Sequence, residues 1–291
     1  MTDTLTVTPD HPPAPPAPTG GSRGAIRAVL VLVAALACLG AVGVLGAAAA
    51  GIGSSRAAAD DVDLPAGLRA LTVNVGDLPI SLQVTADPQA TAPRAEVRYV
   101  TALGAGRPAL RLSDDGATLS LSGERDGWLR WARAGELTLV LPPETARAMT
   151  LTIGQRFGAL QVDADLDRLN ARNDNGAVLL RGSANAMDIR NQHGVVHSRG
   201  PISVRDSFTA NSAEGEIEVD FRGTPPRRVD VSTGAGEVQI GLPGDGPFAV
   251  TAASDRGSTE IRVPQAFDPG AARANVTARS GSGDVTVQSR P

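Results

Sequence analysis

A glycine recurs at nearly regular intervals through the C-terminal half of the chain, and no other feature constrains the fold as strongly. The glycines stand at positions 158, 176, 194, 215, 236, 257 and 283, so the steps between them are 18, 18, 21, 21, 21 and 26 residues. Self-similarity at a period of this length indicates a repeat architecture. We name each repeat unit by its glycine.

Every unit carries the same order of apolar and polar residues around its glycine. A large apolar residue stands seven positions before it, a polar residue six before and an apolar residue five before. This alternation predicts two short strands per unit, each with one buried and one wet face, joined at a glycine with φ > 0. The positions seven before are Leu151, Leu169, Met187, Phe208, Val229, Val250 and Val276, and the positions two after are Leu160, Val178, Val196, Ile217, Val238, Thr259 and Val285.

A unit of about 20 residues with two strands cannot bury its own apolar face, so it must stack on copies of itself. The position three before each glycine carries a small or amide-bearing hydrogen-bonding residue, as a stacked turn favours. These residues are Gln155, Asn173, Asn191, Ser212, Thr233, Ser254 and Ser280. The sequence therefore predicts an all-β fold, a parallel β-solenoid, with an antiparallel β-sandwich as the alternative.

In-register stacking also predicts which residues are neighbours. We expect Ile217, Val238 and Ile261 at equivalent inward positions of consecutive units, allowing for the slip to Thr259. We expect their outward neighbours Glu218, Gln239 and Glu260 to form a row at the sheet spacing of about 4.8 Å.

The N-terminal part of the chain has a different organisation. Residues 1–24 are rich in proline and predict a disordered cytoplasmic tail. Residues 25–55 contain an uncharged run long enough to cross a bilayer as one helix. Arginines precede this run and aspartates follow it, so the tail is predicted inside and the C-terminal domain outside. The alternatives are a cleaved signal peptide, and a lipoprotein modified at Cys38.

Residues 56–70 read as a linker, and residues 71–150 as an irregular β cap with degenerate repeats, because the glycine register is lost there. Residues 151–291 form the regular β-repeat domain. Trp128 and Trp131 lie in the irregular part. Two interpretations remain open: the tryptophans cap the end of the stack, or they form an exposed aromatic patch that binds a sugar or a protein.

The sequence offers little that would support chemistry. Cys38 is the only cysteine, so the exported part has no disulfide and no thiolate metal site. His193 and His197 are four residues apart around a corner and do not face one metal. The net charge is −4, which argues against a nucleic-acid partner. We predict no catalytic, cofactor-binding or metal-ligating residues and no cofactor.

Carboxylates nevertheless cluster at two places. Asp163, Asp165 and Asp167 alternate after the first regular unit. Further acids are expected on outward rows, namely Glu216, Glu218, Glu237, Glu260 and Asp284. A polysaccharide-active enzyme would need two acids across a cleft, with Asp163 and Asp165 as its candidate pair. Outward acids also protect a sheet from aggregation, so their presence needs no catalytic role.

Three C-terminal segments resemble a known family. They are "VDVSTGAGEVQIGLP", "FAVTAASDRGSTEIRVP" and "NVTARSGSGDVTVQ". They are similar to the bacterial β-strand-repeat family of adhesin-like proteins, a domain of unknown function that often follows one N-terminal membrane helix. The resemblance covers about residues 150–290 well and 70–150 loosely, and it implies a strand–turn–glycine–strand fold without catalytic residues to transfer.

These observations together predict a bacterial, single-pass membrane protein whose C-terminal domain is a non-enzymatic, adhesin-like scaffold at the cell surface. Its partners would be membrane lipid around the helix and a macromolecule, a protein or a cell-wall glycan, on the solenoid face. Two other functions remain open at this stage. One is an envelope-sensing accessory of a regulatory system, whose tail would meet a cytoplasmic partner, and the other is the polysaccharide-active enzyme.

Overall fold

The computed structural model describes residues 55–102, 109–122, 135–244, 246–266 and 268–290. In these residues the chain is all-β, with a mixed sheet of 18 strands and one short α-helix, α1 (Pro143–Arg147). A 3-10 turn spans Pro269–Ala271. Residues 1–24, most of 25–55 and both tryptophans lie outside the described residues.

The strands vary from 3 to 17 residues in length. In chain order they are β1 (Ser55–Asp63), β2 (Ala70–Ala86), β3 (Arg94–Ala102), β4 (Ala109–Leu112), β5 (Thr118–Ser122), β6 (Gly135–Leu141), β7 (Thr150–Phe157), β8 (Leu160–Asn175), β9 (Val178–His193), β10 (Val196–Ser198), β11 (Ser203–Glu214), β12 (Ile217–Asp220), β13 (Arg228–Ala235), β14 (Val238–Pro243), β15 (Ala249–Ser254), β16 (Thr259–Arg262), β17 (Asn275–Ser280) and β18 (Val285–Arg290).

Strands of different units pair in parallel and in register. The strands that precede the glycine follow the order β7, β8, β9, β11, β13, β17, β15. The strands that follow it run through β8, β9, β10, β12, β14, β18 and β16. Both β8 and β9 take part in both series, because each continues from one unit into the next. Equivalent positions of the repeat therefore lie beside one another, as the sequence predicts.

The inward positions of both series form one apolar core. Leu151, Phe208 and Val229 before the glycine are fully buried, and Ile217 and Val285 after it are too. The residues between them point outward and are half-buried or exposed. The predicted alternation is confirmed, and its cause is the period of two in an extended strand.

The predicted order of the last units is wrong. Val238 pairs with Ile217 as expected, but its other neighbour is Val285, and Val285 in turn pairs with Thr259. The final unit of the chain thus lies between the units of Gly236 and Gly257. As a result Gln239 stands between Glu218 and Thr286, and Glu260 belongs to the edge.

A further unit precedes the regular repeats, within the part predicted as irregular. Leu71 and Val73 of β2 pair with Leu151 and Ile153, and Leu82 pairs with Leu160. Two register shifts, around Gly76, add residues between these halves, and Ile80 takes the place of the glycine. The inserted residues and the missing glycine hid this unit from a search for a fixed period.

Beyond β2 the parallel order ends in antiparallel strands. β5 and β6 each pair in parallel with β2, while β3 pairs antiparallel with β6 and β1 antiparallel with β3. Residues 56–63 of the predicted linker therefore belong to strand β1, together with residue 55, the last residue of the predicted membrane helix. The small and acidic residues of β1 read as a linker, yet its backbone has a partner strand along its whole length. Within the described residues no helix is both long and apolar enough to cross a membrane.

Candidate functional site

A ladder of polar side chains runs along the corner at the glycines. Thr233 Oγ1 lies 2.9 Å from the carbonyl oxygen of Gly215, and Ser280 Oγ lies 2.8 Å from that of Gly236. Each hydroxyl donates to the glycine of the neighbouring unit. The same contact joins Asn191 to Gly176, Ser254 to Gly283 and Gln155 to Ile80. This row is largely buried and structural, so it explains the predicted pattern three residues before each glycine without a ligand.

The three alternating carboxylates of β8, Asp163, Asp165 and Asp167, are each engaged by the next strand, β9. Asp163 Oδ2 lies 3.7 Å from Arg181 Nη1, and Ser183 Oγ donates to Asp165 Oδ1 at 2.6 Å. Asn185 Nδ2 donates to Asp167 Oδ1 at 2.7 Å. Each acid therefore has its own partner across the strand pair. The candidate pair Asp163 and Asp165 lies two residues apart on the outward side of one strand. The two acids do not face each other across a cleft, as paired-carboxylate hydrolysis would require.

The two histidines also contact acids rather than each other. His197 Nδ1 lies 2.9 Å from Glu218 Oε2, and His193 Nε2 lies 3.9 Å from Glu214 Oε2. Both contacts join adjacent units, on rows exposed to solvent. No group of three or more potential metal ligands occurs in the described part of the chain.

The predicted outward acids are where the repeat places them. Glu216, Glu237 and Asp284 occupy the position after the glycine in three consecutive units and are exposed. The Ser258 backbone N–H donates to Asp284 at 2.7 Å, and this bond holds the pKa of that carboxyl below its usual value. Asp284 therefore anchors the turn at Ser258, and all three exposed acids keep the sheet surface hydrated.

A groove of about 250 Å³ lies at a different corner, where the chain passes from one unit to the next. Its floor contains Leu166 and Ala184, and its wall carries the aligned row Asp165, Ser183 and Ser203. β11 has a register shift against β9 between Val204 and Ser207, which pushes Arg205 outward at one side. Arg147, at the end of α1, stands at the other side.

The two arginines of the groove differ in their partners. Arg147 Nε lies 3.9 Å from Asp165 Oδ2. The same carboxylate already accepts a hydrogen bond from Ser183 through Oδ1. Arg205 is exposed and has no ion pair or side-chain hydrogen bond among the described residues. Its neighbour Asp206 instead lies 4.0 Å from Arg227. The groove thus offers one uncommitted guanidinium, one partly neutralised guanidinium and several hydroxyl and amide groups.

Sequence reasoning did not identify this groove. Arg147 and Arg205 are far apart in the chain, and only the stacking of β8, β9 and β11 brings them to one corner. The usable signal was the longer step from 194 to 215, which holds the extra residues that carry Arg205.

No protein-family model matches the chain, and no curated protein matches it significantly. Several solved structures do match. A candidate adhesin of Bacteroides fragilis is 12% identical with a TM-score of 0.43, and the match covers 81% of this chain and 97% of that one. A candidate adhesin of Parabacteroides merdae is 10% identical with a TM-score of 0.43, and the match covers 81% of this chain and 97% of that one. A candidate lipid-binding protein of Parabacteroides distasonis is 12% identical with a TM-score of 0.40, and the match covers 80% of this chain and 97% of that one.

None of these names is that of an enzyme, and the adhesin names agree with the resemblance that the C-terminal motifs carry. At such low identity and TM-score the matches add no argument about activity or ligand. The chain is similar to these adhesin-like β proteins.

Proposed function

We propose that the chain is a membrane-anchored, extracytoplasmic binding protein that presents a parallel β-solenoid to a macromolecular ligand and performs no catalysis. The in-register parallel pairs from β2 to β18 support the solenoid. The uncharged run within residues 25–55 and its flanking charges support the anchor and its orientation. The separate partners of Asp163, Asp165 and Asp167 support a structural role for the acids that an enzyme would have used.

The observation that carries the binding function is the groove with its free arginine. A guanidinium binds a carboxylate through two parallel hydrogen bonds, and Arg147 and Arg205 approach the groove from opposite sides. Ser183, Ser203 and Asn185 add the hydroxyl and amide groups that hydrogen-bond to sugar hydroxyls. The chemistry of the groove suits a carboxylate-bearing saccharide, which is the glycan form of the ligand expected from the sequence.

Binding of an acidic polysaccharide to the full-length protein in detergent micelles tests this function. We expect polygalacturonate to bind in a salt-sensitive manner, and neutral dextran not to bind. Replacing Arg205 by Gln should weaken polygalacturonate binding by about tenfold or more, since one charge-assisted contact contributes roughly 1.5–3 kcal/mol.

Arg279→Gln is the matched control. Arg279 is also exposed, and it lies on β17 away from the groove. Equal loss in both variants would show general charge attraction and reject the groove as the site. Absence of polygalacturonate binding by the unmodified protein would reject the carboxylate ligand.

The anchor has its own test. Protease added to intact spheroplasts is expected to digest the chain beyond Arg56 and to leave the tail intact. Protection of the C-terminal domain would reverse the orientation. A cleaved leader would instead leave no full-length protein in the membrane fraction.

A further inference from the structure

The β-sheet has an open end. β15 pairs with β17 only, and β16 pairs with β18 only, within the described residues. The opposite end is different, because β5 and β6 are followed there by the antiparallel strands β3, β4 and β1. One edge of each strand in the Gly257 unit therefore presents backbone groups that the described chain leaves without a strand partner.

The inward residues of this edge unit are also incompletely covered. Val250, Ala252 and Ile261 are only partly buried. The equivalent residues one unit further in, Val276 and Val287, are 1% and 0% exposed. The open end thus combines unpaired strand edges with a partly exposed apolar layer, which is a surface that other strands pair with.

The outward charges of β16 are self-complementary. Glu260 and Arg262 flank Ile261 on the outward side and form an ion pair with each other within β16, and Thr259 precedes them. When two copies of β16 pair antiparallel about Ile261, Glu260 of each copy faces Arg262 of the other, and Ile261 faces Ile261 on the inward side. A shift of one residue would place inward residues opposite outward ones. A shift of two would place Glu260 opposite Glu260, or Arg262 opposite Arg262, which is unfavourable.

We infer that the open edge binds a second copy of this chain, in an antiparallel β16–β16 pairing centred on Ile261. One register alone matches the apolar residues and the charges together. The symmetry is that of an isologous dimer, in which the same patch of both copies meets. The pairing covers the open edge of β16 in both copies, so no β16 edge is left for a third copy.

Charge reversal on the full-length protein in detergent micelles tests the pairing, with molar mass from light scattering as the readout. The unmodified chain is expected to dimerise in a concentration-dependent manner. Glu260→Arg alone, or Arg262→Glu alone, puts like charges opposite each other twice per dimer and should weaken the dimer by about tenfold or more. The double exchange E260R/R262E restores both contacts and should restore the dimer.

Glu237→Arg is the control for a general effect of charge, because Glu237 is exposed on an inner unit. A monomeric unmodified chain at every concentration would overturn the proposal. Single variants that dimerise normally, or a double exchange that fails to recover, would overturn the register.

Discussion

Replacing Gly215 by Ala is the sharpest test of the stacked glycine corner. Gly215 has φ +142°, and a Cβ built there would lie 1.9 Å from the carbonyl oxygen of Gly194 in the neighbouring unit. Contacts under 3.0 Å are essentially never seen for real Cβ atoms, and the obstacle is backbone. The two units must therefore separate by about 1 Å at this corner, given the contact distances of packed atoms.

The cost can be estimated from the bonds that hold the two units together. Gly194 N donates to Glu214 O at 2.9 Å, and Val196 N donates to Glu216 O at 2.9 Å. A separation of about 1 Å breaks both, and each group left unsatisfied costs about 1–3 kcal/mol. The positive φ adds about 1–3 kcal/mol for a residue with a side chain. We expect Gly215→Ala to lower the free energy of unfolding by about 3 kcal/mol or more.

Gly200→Ala is the matched control. Gly200 also has a positive φ, +112°, but no atom lies within 4 Å of its built Cβ. It should show the conformational cost alone, about 1–3 kcal/mol. Urea unfolding of the full-length protein, followed by far-ultraviolet circular dichroism, measures the free energy of unfolding of both variants. If Gly215→Ala lowers it no more than Gly200→Ala does, the close contact between units is refuted.

Two other predictions concern the interior and the ladder. Val238→Asp buries a charge beside Ile217 and should cost several kcal/mol in urea unfolding, whereas the adjacent Gln239→Lys, beside Glu218, should be neutral or stabilising by about 0.2–1 kcal/mol. If Val238→Asp were harmless and Gln239→Lys destabilising, the inward and outward positions of the repeat would be the reverse of those described. Thr233→Val removes the hydroxyl that donates to Gly215 O and should cost about 1–2 kcal/mol in the same assay; an unchanged stability would remove the ladder from the interactions that hold the units together.

The features repeated in every unit could be predicted from the sequence. The inward and outward positions follow from a period of two, and the glycine conformation follows from the need for a tight corner. Gly158, Gly176, Gly194, Gly215, Gly236 and Gly283 all have φ between +113° and +142°. The prediction is wrong for Gly257, in the edge unit, which is not among the glycines with positive φ. The hydrogen-bonding residue three before the glycine was also predictable, because one corner geometry repeated in a stack asks for the same side-chain chemistry each time.

The features that break the repeat could not be predicted. β2 has Ile80 at the glycine position and extra residues before it, so its identity as a unit emerges only from its pairs with β7 and β8. The groove arises from the shift between β9 and β11, which moves Arg205 toward a corner shared with Arg147. Both depend on local bulges, and a bulge leaves no fixed signature in a single sequence.

The order of the last units shows why a repeat pattern does not determine a stacking order. Every unit offers the same alternation and the same corner, so the repeat pattern alone does not say which units pair. The chain returns from β16 to β17 through a long connection, and β17 then takes the inner place. Composition gives the physical reason for this choice. The Gly257 unit has Thr259 where the others have Leu, Val or Ile. Apolar burial contributes about 25 cal/mol per Å², so the more apolar unit gains more from an inner place. The less apolar unit then occupies the edge, where its polar and charged residues remain in water or face a second copy.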